Sequence, residues 1–246
     1  MSSTLTSPLE VMIRKLGPAR LSHVERDAIR GLPVIVRTVE ARRDIVHEGG
    51  PTAHCCIVLE GLASAYQLLD EGKRQLLSLY VPGDLPDLQS LQLPDPDYGI
   101  TALTESTVAF VPHAEMHRLI DDHPAIAKVL WRDTLINGAI HRARMVGLGR
   151  RTARARLAHL FCELYLRLEV VGLADGNTVP VLLTQADLAD ALGLSHVHVN
   201  RSLQDLRKTG LIDLHGRRLA IRDWHGLCAE AEFNPKYLHL PGKELA

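Results

Sequence analysis

The chain has 246 residues, 46% hydrophobic and 23% charged, with a formal net charge of −1. That length admits one large domain or two ordinary ones, and the composition is that of a globular protein rather than a fibrous or disordered one. No run of about 18 apolar residues occurs, and MSSTLTSPLEVMIRKLG has neither a basic start nor an apolar core; no transmembrane helix or signal peptide is expected, and a cytoplasmic location is inferred.

The near-neutral total hides a split. Residues 124–246 carry 17 Lys and Arg against 12 Asp and Glu, a net +5, whereas residues 1–123 stand at −6. A polyanion would be repelled by the first half and attracted by the second, so two domains with different partners are expected. None of the four cysteines, Cys55, Cys56, Cys162 and Cys228, forms a C-x-x-C pair. Vicinal Cys55-Cys56 is poor geometry for a structural disulfide and reads as a redox pair or as part of a plain buried strand.

In chain order, residues 8–17 read as a short amphipathic helix. Ser22-His23-Val24-Glu25 is a capping box opening a second helix that ends near Gly31. From Pro33 to Pro112 the pattern changes. Turn signals recur every 8–12 residues, among them Glu60-Gly61, Asp70-Glu71-Gly72, Pro82-Gly83-Asp84 and Pro94-Asp95-Pro96-Asp97. Between the turns lie seven strand-like segments, at 34–39, 44–47, 55–59, 62–69, 75–81, 98–103 and 106–111. Such even spacing argues for a sandwich or small barrel of the jelly-roll kind.

After Pro112 the helical period returns. A short helix over 113–122 is followed by a long one over 124–148. Its apolar positions, Ile126, Val129, Leu130, Ile136, Ile140 and Ala143, form a near-heptad seam that suits a two-stranded coiled coil; packing on the protein's own barrel is the alternative. No Asp or Glu occurs from Thr134 to Cys162, yet Arg142, Arg144, Arg150, Arg151, Arg154 and Arg156 do. Gly147 and Gly149 are expected to interrupt the helix there and to form an interdomain hinge. Another helix over 152–169 precedes the loop 172–177.

Residues 183–221 read as helix, tight turn, helix and hairpin, the outline of a winged helix-turn-helix. Thr184 with Asp187 can cap the first helix, Gly193 can end it, and Ser195 can cap the second. Val199, Ser202, Leu203 and Leu206 fall on one side of that second helix. The other side carries His196, Val197, His198, Asn200, Arg201, Gln204 and Lys208, which offer donors to base edges and cations to phosphates. An ordinary amphipathic surface helix is the bland alternative. The tail, 224–246, is expected to fold back on this domain.

The glycine-punctuated β-segment, the long helix, the Arg-rich hinge and the run LADALGLSHVHVNRSLQDLRKTGLI together resemble the catabolite-activator and fumarate-nitrate regulator (Crp/Fnr) family of bacterial transcription regulators. The resemblance covers about Leu9 to Ile221. It implies an α+β architecture: a β-roll sensor (1–123), a dimerisation helix (124–149) and a winged helix-turn-helix domain (150–246). It also implies a homodimer binding double-stranded DNA and acting with RNA polymerase, with no enzymatic activity and no membrane association.

The departures from the family pattern are informative. The stretch matching the family's phosphate cassette, PGDLPDLQSLQLPDPDYGITAL, places Gly83, Asp84, Leu85, Leu88 and Leu91 at the expected effector pocket. No Lys or Arg occurs between Arg74 and His113, so a buried cyclic phosphate would lack its counter-charge. Cyclic AMP binding of the usual kind is therefore not expected. No cysteine precedes Cys55, which disfavours an N-terminal iron–sulfur cluster. His113 and His117 stand at i, i+4 without a third ligand, so neither metal nor cofactor is predicted. A cyclic-nucleotide-, haem- or redox-responsive regulator is the nearest alternative and a cupin-like metalloenzyme a remote one. In the reading helix, Arg201 matches the family pattern, whereas His196 and Val197 replace the usual Arg and Glu. Thr184, Ser195, Lys208, His215 and Arg217 are the expected contacts to the DNA backbone.

Overall fold

The computed structural model describes residues 7–50, 53–70, 72–93 and 95–240; Glu71 and Pro94, each inside an expected turn, lie outside the described residues. Two compact units are present: Met1–Ala65 with Leu79–Thr134, and Tyr66–Ser78 with Leu135–Ala246. This grouping differs from a division at 123/124 and 149/150. It cuts the long helix and places one hairpin tip in the second unit.

The first unit begins with α1 (Glu10–Leu16) and α2 (His23–Arg30). Ser22 caps α2 through the expected reciprocal box with Glu25. The strands are β1 (Ile35–Val39), β2 (Asp44–Val46), β3 (His54–Glu60), β4 (Ala63–Leu68), β5 (Arg74–Tyr80), β6 (Gly99–Ala102) and β7 (Ser106–Pro112). They form two antiparallel sheets, ordered β1-β7-β3 and β2-β6-β4-β5. In the first, Phe110 faces Ile35 on one side and Cys56 on the other. Helices α3 (His113–Asp122) and α4 (Pro124–Arg150) follow. Met12, Ile13, Ile57, Val111, Met116 and Ile126 belong to one buried core shared by α1, the β3/β7 strands, α3 and the start of α4.

The turn after β5 locks this core. Gly83 has φ 93°, and a Cβ there would meet Lys15 Cβ at 2.7 Å and Val11 O at 2.8 Å, so only glycine lets α1 approach. Buried Asp84 accepts the Val81 N–H at 2.7 Å and lies 3.1 Å from Lys15 Nζ. Lys15 also binds Asp133 on α4. Burial works against the Lys15 charge, but Asp133 and Asp84 more than offset it and its pKa is raised.

The second unit is built on α5 (Ala153–Val170), which packs on β8 (Thr178–Pro180), α6 (Gln185–Leu192), α7 (His196–Lys208) and α8 (Trp224–Ala231). Strands β9 (Ile212–His215) and β10 (Arg218–Ile221) form the expected hairpin, and β8 adds a third strand on β10, giving the order β8-β10-β9. Phe161, Leu157, Leu164 and Leu168 are fully buried on α5. So is Glu163, whose carboxylate accepts from Arg144 at 2.9 Å, Arg167 at 3.2 Å and the Tyr237 hydroxyl at 3.1 Å. Burial alone would raise its pKa; Arg144 and Arg167 outweigh that and hold it below the ordinary value. His159, stacked on Tyr237 and edge-on to Phe233, is pushed down to about 4, chiefly by burial. The tail thus closes over α5 through its aromatic residues.

Two expectations about α4 are corrected. The helix runs unbroken through Gly147 and Gly149 to Arg150 and breaks at Thr152, whose side chain accepts the Ala155 N–H and caps α5. A glycine inside a helix costs only about 1 kcal/mol, which the rest of a 27-residue helix tolerates. The residues expected to form a dimer seam are also largely packed inside the chain. Ile126, Val129, Leu130 and Ile140 are buried within this one chain, and Ile136 and Ala143 are half-buried. The exposed large apolar residues of α4 are instead Trp131 (68%), Leu135 (58%), Met145 (71%), Val146 (54%) and Leu148 (43%).

Candidate nucleic-acid interface

The second unit presents one helix outward, and local chemistry fixes its position. At the start of α6, Thr184 N–H and Oγ1–H both donate to Asp187 Oδ2, at 2.9 and 2.7 Å, while Asp187 N–H returns to Thr184 Oγ1 at 3.2 Å. Gly193, at φ 60°, ends α6 in the left-handed conformation. Two residues later Ser195 accepts the His198 N–H and caps α7. Val199, Ser202, Leu203 and Leu206 are buried and hold α7 to its own unit. The opposite face is open: His196, Val197, His198, Asn200, Arg201 and Gln204 are all exposed, Val197 by 75%. Half-buried Asp205, at the edge of this face, is the one acidic side chain of α7.

The expected backbone contacts are also exposed: Thr184, Ser195, Lys208, His215 and Arg217. The hairpin turns on Gly216 (φ 53°) and Arg217 (φ 66°), the two positive φ values of a type I′ turn whose twist matches the strands. Arg217 forms no ion pair among the described residues. His215 Nε2 sits 2.9 Å from Asp213 and Arg222 reaches the same carboxylate at 3.1 Å, so His215 is partly committed within the wing. The hydrogen bond from Arg222 holds the Asp213 pKa below its ordinary value.

The expected effector residues lie in the first unit. Gly83, Asp84 and Leu85 are packed into the first unit's core, and Leu88 and Leu91 are half-buried against it. Their apolar spacing serves α1 and β3. The group that does stand out there is Asp87, buried, with Oδ1 accepting the Cys56 N–H at 2.8 Å and no partner for Oδ2. Burial pushes its pKa up to about 6. Cys55 and Cys56 are fully buried, and burial, with Asp87 adding to it, raises the Cys55 thiol to about 12 and Cys56 well above the ordinary range. Thiols so protonated are poor redox sensors. His113 Nε2 lies 2.9 Å from Ser90 Oγ, and no group of three potential metal ligands occurs among the described residues.

One contact has no local sequence signal. Arg74 on β5 reaches α6 of the same unit, with Nε at 3.0 Å and one terminal nitrogen at 2.9 Å from Asp190 Oδ2 and a longer approach of 3.4 Å to Asp187. Gln75 donates to Asp190 O at 2.7 Å. Nearly 120 residues of sequence separate these partners.

Comparison with known proteins fits this arrangement. A cyclic nucleotide-binding domain model matches residues 36–123, and a Crp-like helix-turn-helix domain model matches residues 155–230. The transcriptional activator protein FnrL of Cereibacter sphaeroides is 28% identical over 202 residues, 79% of either chain. The nitrogen fixation regulation protein FixK of Bradyrhizobium diazoefficiens is 30% identical over 160 residues, 65% of this chain and 66% of that one. The solved structure of FixK2 from Bradyrhizobium japonicum is similar with a TM-score of 0.73 at 25% identity, covering 80% of this chain and 97% of that one.

Proposed function

The chain belongs to the Crp/Fnr family of DNA-binding transcription regulators, not to a family of enzymes, and from that premise we propose how it engages DNA. Two copies bind duplex DNA, each inserting the outer face of α7 into the major groove, with half-sites about one helical turn apart, ~34 Å. Residues 1–123 act as the sensor, 124–149 as the dimerisation helix and 150–246 as the DNA-binding domain, in the cytoplasm and in concert with RNA polymerase. The carrying observation is the α7 face: capped at Ser195, anchored by four buried residues, and with half-buried Asp205 at its edge as the one acidic side chain of the helix.

Arg201 pairs with guanine O6/N7, and Val197 packs on a thymine methyl where it cannot accept from cytosine. His196, His198, Asn200 and Gln204 complete the base-facing set. Thr184, Ser195, Lys208, His215 and Arg217 hold phosphates. Selection of bound sequences from a random pool tests this reading: a half-site departing from the common family consensus supports it, and recovery of that consensus refutes the assignment of Val197.

Dimerisation uses a stripe of α4, exposed except at half-buried Gly138: Trp131, Leu135, Gly138, Arg142, Met145 and Gly149 follow one another at alternating spacings of four and three, the period of a coiled-coil seam. The sensor does not take cyclic AMP in the usual manner, because the cassette offers buried Asp84 and Asp87 and no cation between Arg74 and His113. Saturable binding of cyclic AMP in calorimetry would overturn that.

A further inference from the structure

We infer that a cleft in the second unit, walled by the last turns of α4, by α5 and by the end of α6, binds a small organic carboxylate that tunes DNA affinity; the inference rests on the regulator reading and names its effector class. Measured to its open mouth, the cleft holds about 400 Å³, and its deep part has room for only a few waters or an anion of comparable size. Arg144, Arg151 and Arg156 line it against one carboxylate, Glu163, together with His159 and apolar Leu148 and Leu160.

The charge balance there is one-sided. Arg156 donates to Arg151 O at 3.0 Å and Leu192 O at 3.1 Å and meets no carboxylate among the described residues. Arg151 donates to Ala143 O, and Glu232, mostly exposed, lies 3.8 Å away. Glu163 answers Arg144 but also serves Arg167. The Nε atoms of Arg144 and Arg151 are buried without an acceptor. A carboxylate supplies two strong acceptor oxygens that match guanidinium geometry. The accessible wall is mainly apolar, which favours an organic anion with a short hydrocarbon part over a hydrated inorganic one.

Position gives the site its consequence. At 100° per residue, Ala143, Arg144 and Gly147 lie on the side of α4 away from the Trp131–Leu135–Met145 stripe, so pairing through that stripe leaves their side of the helix open. Arg156 donates to the C-terminal carbonyl of α6, immediately before Gly193 begins the turn into α7. An anion drawing on Arg156 therefore bears on the joint that aims the reading helix.

The test titrates the full-length protein with acetate, propionate and butyrate in a calorimeter, with butyramide and inorganic phosphate as controls. DNA affinity is read by fluorescence anisotropy with and without each. At least one carboxylate should saturate with a Kd on the order of 1 mM, as suits so small a ligand, while butyramide does not bind. Arg156→Gln and the cleft-filling Ala143→Met should each weaken it about tenfold or more with the thermal melt retained. Absence of saturable carboxylate binding, equal binding of butyramide, tighter binding of phosphate, or undiminished binding to Ala143→Met overturns the site. A carboxylate that binds and leaves DNA affinity unchanged overturns the regulatory role. Ligand-free DNA binding at low salt is scored separately, so failure of the regulator reading is distinguishable from failure of the cleft.

Discussion

Glu163→Gln is the sharpest perturbation of the DNA-binding half. The side chain keeps its volume but loses its charge, and the amide nitrogen must face a guanidinium or the Tyr237 hydroxyl. Breaking a buried ion pair from one side costs about 3–5 kcal/mol. Arg144 retains 15% of its side-chain surface and Arg167 8%, so water recovers part of that loss, and about 3 kcal/mol is expected. In calorimetry this lowers the unfolding transition of the unit by about 6–12 °C.

The same residue predicts a pH signature. Its folded pKa lies below the ordinary 4.5, so its contribution is complete above the unfolded value and is lost as pH falls through the lower, folded one. The gap between wild type and variant should be widest at neutral pH and close in acid. Tyr237→Phe alone should cost about 1 kcal/mol and should not add to Glu163→Gln, because the two share one hydrogen bond. A gap under about 1 kcal/mol at neutral pH, or one that persists unchanged into strong acid, refutes the account.

Arg201→Ala should cost ~1–3 kcal/mol on the preferred DNA site and flatten discrimination at one base position, read by anisotropy on a set of single-base variants. Arg217→Asn, which tolerates the positive φ, should weaken all sequences alike and reduce the salt slope by about one. Asp87 has its folded pKa raised from 3.8 to about 6, so stability should fall as pH rises through that interval; Asp87→Asn should remove the dependence and stabilise the protein at pH 7 in denaturant titrations. Met145→Glu should shift sedimentation toward the monomer and weaken binding to paired half-sites far more than to a single one.

Most elements were legible because their periods are strong. The β-roll strands alternate between turns that demand glycine or proline, and the helix-turn-helix carries its own caps at Thr184, Gly193 and Ser195. The stripe proposed for dimerisation was not, because hydropathy ranks Ile126, Leu130 and Ile140 above a face that mixes Trp131 and Met145 with Gly138, Arg142 and Gly149. The first set is apolar because it fills the chain's own core, and burial cannot be read from one helix alone. Strand β8 is three residues ending in Pro180, too short to show alternation. The exposed face of α7 was readable from helical spacing, but the contact of Arg74 was not, since a pair so distant in sequence leaves no local mark.

The hairpin tip at Tyr66–Ser78 belongs with the DNA-binding unit although the chain visits it early. A fragment begun at Leu135 would leave Asp190 without Arg74, His141 without the Ser78 hydroxyl, and Arg144 without the Leu77 carbonyl. Isolated C-terminal halves should consequently melt earlier than the same residues in the intact polypeptide, and adding back a peptide of the tip should restore part of the difference. During synthesis, α6 reaches its final support only by returning to a segment made long before it.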